Sequence, residues 1–88
     1  MKSVILTIRI ASKAQIAEGQ EFDLEAQRFG RASFDISLGR TTNCQLKVTF
    51  REGDPHLNFS RYKFRVVGRR TPSGWVTINR DEEHVIEI

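Results

Sequence analysis

The run Arg61-Tyr62-Lys63-Phe64-Arg65-Val66 alternates without a break between cationic and apolar side chains. Neighbouring side chains of a strand point to opposite faces. The spacing therefore predicts a strand with Tyr62, Phe64 and Val66 on an apolar face and Arg61, Lys63 and Arg65 on a cationic one. Just upstream, Leu57 and Phe59 carry the opposite parity. A bulge or sharp bend near Ser60 and Arg61 would reconcile the two patterns. Every other segment reads as something that pairs with this strand or covers it.

Towards the C-terminus, Arg70-Thr71-Pro72-Ser73-Gly74 has the composition of a turn and leads into a strand over residues 75–79. Arg80-Asp81-Glu82-Glu83 turns the chain again, and residues 84–88 close it with His84, Ile86 and Ile88 on one face. Towards the N-terminus, Glu52-Gly53-Asp54-Pro55 is a turn, because Gly and Pro would interrupt a central strand. Before it, residues 45–51 place Leu46, Val48 and Phe50 inward and Lys47, Thr49 and Arg51 outward. Gly39-Arg40-Thr41-Thr42-Asn43 is turn chemistry, and Ala32, Phe34, Ile36 and Leu38 alternate with polar residues as in a half-buried strand. Residues 21–29 admit two readings. Phe22, Leu24 and Ala26 alternate as in a strand, which is favoured, while Asp23 would also suit the cap of a helix ending at Gly30. Ser12-Lys13-Ala14-Gln15 spells a capping box that allows a helix of about two turns before Gly19, with a loop as the alternative. Val4, Leu6, Ile8 and Ile10 share one face of a first strand over residues 3–10.

Strands separated by short turns predict an all-β fold. The expected form is a small antiparallel meander of five or six strands, curled into an open barrel or curved sheet, with room for one short helix; α+β is the alternative. At 88 residues the chain is expected to form one domain, residues 1–88. No apolar run approaches the ~20 residues that span a bilayer, so no membrane partner is expected. Arg9 interrupts the opening apolar segment, which reads as a strand rather than a leader. Cys44 is the only cysteine, which rules out an intrachain disulfide and suits a reducing, cytoplasmic setting.

The net charge of +3 is unevenly spread. Ten of the 14 cations fall between residues 24 and 70, where only Glu25, Asp35, Glu52 and Asp54 oppose them. Residues 71–88 hold Arg80 against Asp81, Glu82, Glu83 and Glu87. Most of the cations are Arg, whose planar fork matches phosphate and carboxylate. Catalysis is not expected. His56 and His84 lie in no nucleophile–base context, no Gly-rich loop opens a helix, and Cys44, His56 and Asp54 lack a recognised ligand spacing. No cofactor and no metal are implied. Ile36-Ser37-Leu38-Gly39-Arg40 with the later Ser60-Arg61 resembles fragments of phosphothreonine-reading forkhead-associated domains. Lys63 stands where that pattern has His and the later Asn-Gly is missing, so no family is assigned.

Two functional readings follow. In the first, a meander brings Lys47 and Arg51 beside Arg61, Lys63 and Arg65, and Arg69 and Arg70 extend the patch at the hairpin end. Trp75 would add a stacking surface, giving a module that binds nucleic acid or another polyanion. In the second, the same basic surface or an exposed edge strand engages an acidic protein partner or a second copy of the chain as a homodimer.

Overall fold

The computed structural model describes residues 1–70 and 74–88. It contains β1 (Ser3–Ala11), β2 (Phe22–Arg28), β3 (Ile36–Thr41), β4 (Gln45–Arg51), β5 (Arg61–Val66), β6 (Val76–Thr77) and β7 (Glu82–Glu87). No helix occurs among the described residues, so the fold is all-β. The strands divide into a smaller sheet of order β4-β1-β7 and a larger one of order β3-β2-β5-β6, an open arrangement rather than a closed barrel.

This topology corrects the expected meander. β1 pairs antiparallel with β4, but its other edge takes β7 in parallel, Leu6 opposite Glu82 through Ala11 opposite Glu87. A parallel pair needs a crossover, and here the whole larger sheet intervenes along the chain. In that sheet β2 is central, with β3 antiparallel on one side and β5 antiparallel on the other.

The period-2 pattern explains which faces meet. Val4, Leu6, Ile8 and Ile10 of β1, with Val48, Phe50 and Ile86, line the inner face of the smaller sheet. Phe22, Leu24, Ala26, Tyr62, Phe64, Val66 and Ile78 line that of the larger one. Phe50 joins the two faces, its ring 5.1 Å from that of Tyr62 and 6.5 Å from that of Phe64. Burying each such ring is worth about 1.5–3 kcal/mol, so these three anchor the core.

Local departures from the sequence reading have physical causes. The capping box forms no helix: Ser12 Oγ accepts the Ala14 N–H, at 3.1 Å, in a bend. Two turns of helix are too short to persist without packing. Of residues 21–29, Phe22–Arg28 resolve as strand, the favoured reading. β3 begins at Ile36, not Ala32, and runs through Gly39 and Arg40, where a turn was expected, with a register shift opposite Leu24 and Glu25. Gly39 supplies φ +116° at that irregularity, a value that suits a residue without Cβ. The parity conflict before Arg61 disappears because residues 57–60 are loop, not strand. The Trp75 strand shrinks to Val76 and Thr77, and the last strand starts at Glu82. Of the turn expected over residues 70–74, Thr71, Pro72 and Ser73 lie outside the described residues.

Candidate functional site

The outer face of the larger sheet carries the side chains that the β5 alternation turns away from the core. Arg61, Lys63 and Arg65 project from β5, with Glu25 opposite Arg65 and Gln27 opposite Lys63 on β2. On the other side Thr77 of β6 stands opposite Arg61, and continuing that register sets Trp75 opposite Lys63.

Each of these three cations lies against an aromatic ring. The Arg61 guanidinium is 4.9 Å from the Phe29 centroid, Lys63 Nζ is 4.8 Å from Trp75, and the Arg65 guanidinium is 4.4 Å from Phe34. Phe29 and Trp75 meet edge to face at 5.2 Å and 78°. They remain 55% and 37% exposed, high values for large rings that a core would hide. Backbone bonds tie the neighbouring segments to the start of β5: Phe29 N–H donates to Arg61 O at 2.9 Å, and Ile78 N–H to Ser60 O at 2.9 Å. Cation–aromatic contacts at such exposed sites contribute about 0.5–1 kcal/mol each, enough to order the side chains without burying them.

The three cations are not equivalent. Arg65 donates twice to Glu25 Oε1, from Nε at 3.0 Å and Nη2 at 2.7 Å, and is capped by Phe34. Arg61 and Lys63 form no ion pair among the described residues. The positive charge open to a ligand on this face therefore belongs to Arg61 and Lys63, while Arg65 is a structural tie between β5 and β2.

The structure separates the remaining sequence-predicted residues. Lys47 and Arg51 sit exposed on β4, in the other sheet, and face the opposite side of the molecule. The expected merged patch does not form, because strand order, not chain order, decides neighbours. Arg69 and Arg70 are exposed beyond Val66, at the opposite end of β5 from Arg61, where Arg69 N–H donates to Val66 O at 3.2 Å. Asp81 accepts the Ile5 N–H at 2.8 Å, and Glu83 pairs with Arg9 at 2.9 Å, so both act on the smaller sheet rather than on this face.

Sequence reasoning missed Phe29 and Phe34. Its parity with Ile36 and Leu38 predicts Phe34 inward, but it precedes β3 and lies against Arg65 on the outer face. The signal available for Phe29 was its place between the alternating Phe22–Ala26 run and Gly30; in the structure it lies just past β2, and Gly30 takes φ +92°. Among the described residues no cluster of His, Cys, Asp and Glu could hold a metal ion, and no helix is long and apolar enough to cross a membrane. Comparison of the chain with protein-family models, with curated proteins and with solved structures finds no match.

Proposed function

We propose that the chain is a small binding module that holds single-stranded nucleic acid on the outer face of its larger sheet. The observation that carries this reading is the exposed Phe29–Trp75 pair bordered by Arg61 and Lys63, which form no ion pair among the described residues. Single-strand binders combine cations that track the backbone with rings on which bases stack, and both components lie within one patch here. An Arg plane resting on a ring also offers its own free face for stacking. Duplex binding gains nothing from the rings, so single strands are favoured.

The test compares two charge reversals in an anisotropy titration with labelled single- and double-stranded oligonucleotides. Arg61→Glu with Lys63→Glu changes this face; Lys47→Glu with Arg51→Glu makes the same net change on the opposite sheet. The first variant is expected to lose single-strand affinity and to flatten the log–log salt slope by roughly 1.4, at roughly 0.7 per phosphate contact. The second is expected to bind nearly as the parent does. Equal losses in both would reduce the effect to net charge and defeat the reading.

One observation favours a second reading. Among the described residues β7 pairs only with β1, leaving an edge at which Val85 is 48% exposed between Glu83 and Glu87. An edge of this kind accepts a further strand from a protein partner or a second copy. A sedimentation mass of twice the chain, with indifference to oligonucleotides, would favour it.

A further inference from the structure

At the end of the sandwich where β2 finishes lies a cavity of about 220 Å³ lined by Arg28, Arg31, Asp35, Ile36, Pro55 and His56. We infer that this cavity is a binding site for a phosphoryl group of the monoester type. It stands on its own residues and does not depend on the sheet-face reading.

Hydrogen bonds tie the backbone of both walls. Arg28 is the last residue of β2 and lies opposite Tyr62, so it shares the inward parity and is half-buried. Arg31 follows in a tight turn. Its N–H donates to Arg28 O at 3.0 Å and its carbonyl accepts Gln27 Nε2 at 2.6 Å, which sets the spacing of the two arginines. The facing wall is the loop carrying Pro55 and His56. The Asp54 carboxylate accepts the N–H groups of His56 and Leu57, each at 2.8 Å. The buried Tyr62 hydroxyl reaches the carbonyls of Asn58 at 2.9 Å and His56 at 3.3 Å, and accepts Asn58 N–H at 3.1 Å. The tied backbone of both walls lowers the ordering cost of binding, which then falls on the exposed side chains of Arg31 and His56.

The charge in the cavity selects an anion. Arg28 and Arg31 form no ion pair among the described residues, although Asp35 lines the same space. Two guanidiniums against one carboxylate leave an uncompensated positive charge and donors to spare. A carboxylate is satisfied by the fork of a single Arg, whereas a tetrahedral phosphoryl group presents enough oxygens for two forks and an imidazole. The volume lies below the ~300 Å³ at which drug-sized ligand pockets begin, which suits a head group rather than a large ligand. The group has two possible sources. One is a small free monoester; the other is the phosphorylated end of a strand on the neighbouring face, since Phe29 follows Arg28 directly.

The test maps ¹H–¹⁵N amide shifts of the unmodified protein as inorganic phosphate is titrated in. Saturable shifts centred on Arg28, Arg31 and His56 are expected, and Arg28→Gln with Arg31→Gln should weaken them about tenfold or more. Arg61→Gln with Lys63→Gln should leave phosphate binding in place. Shifts that do not saturate, or that centre on other residues, would overturn the site. If the Arg28/Arg31 variant fails to fold, the map on the unmodified protein decides alone. Oligonucleotides with and without a terminal phosphate separate the sources. A preference for the phosphorylated strand that vanishes in the Arg28/Arg31 variant assigns the strand end, and equal affinity alongside retained phosphate binding assigns the free monoester. Loss of binding to unphosphorylated strands would defeat only the sheet-face reading.

Discussion

His84 shows how one residue translates position into pH dependence. Its parity on β7 turns it inward at a sheet edge, where its ring lies 5.6 Å from that of Phe64 and is half-buried. Burial holds its pKa below the ordinary value of 6.5, with Glu82 opposing only in part. Because the folded pKa is the lower one, the unfolded chain takes up the proton first as pH falls. The stability contributed by neutral His84 is thus present above about pH 6.5 and is lost on acidification below it. The expected outcome is that denaturant midpoints of the parent fall from pH 7 to pH 5 more steeply than those of His84→Leu. Parallel curves would mean that the imidazole titrates as freely as in the unfolded chain. The side of this residue was legible in the sequence, since it shares parity with Ile86 and Ile88. Its neighbour Phe64 was not, because that contact joins β5 to β7 across the core.

At the scale of elements, alternation told most where strands are long and pair on a buried face. β1, β2, β4 and β5 bury the residues that their period-2 patterns assign inward, Leu46 near the start of β4 only in part. It told least at the strand ends and in the connections, where no periodicity applies, and the aromatic residues of the candidate site come from those places. Phe29 lies past the end of β2, Phe34 in the loop before β3, and Trp75 just before the short β6. Strand order was equally hidden, since the parallel β1–β7 pair joins residues far apart in the chain, and with it went the grouping of Lys47 and Arg51 with β5. One connection is held by a core residue: the Tyr62 hydroxyl fastens the loop between β4 and β5 through Asn58 and His56. Tyr62→Phe keeps the ring but leaves the Asn58 N–H without that acceptor, at a cost of about 1–3 kcal/mol. Chemical denaturation should register that loss with an unchanged m-value, and amides 56–58 should exchange faster. A variant as stable and as protected as the parent would show that water replaces the hydroxyl without penalty.

For the whole molecule, the two sheets share one core and turn two different outer faces to solvent. The smaller sheet mixes Arg9, Lys47 and Arg51 with Glu83 and Glu87, and Arg9 is neutralised by Glu83. The larger sheet sets cations against rings, neutralises Arg65 through Glu25, and leaves Arg61 and Lys63 beside Phe29 and Trp75. Net charge alone therefore misstates how free positive charge is divided between the two faces. Trp75 is the only tryptophan in the chain and lies within the proposed contact surface, so its emission reports on that surface directly. The decisive measurement is a titration of Trp75 fluorescence with an unlabelled oligothymidylate over a series of salt concentrations. The account expects a saturable change in emission, from stacking worth about 1–3 kcal/mol per base, whose midpoint rises steeply with salt. No binding at low salt, or binding that leaves Trp75 emission unchanged, would contradict it.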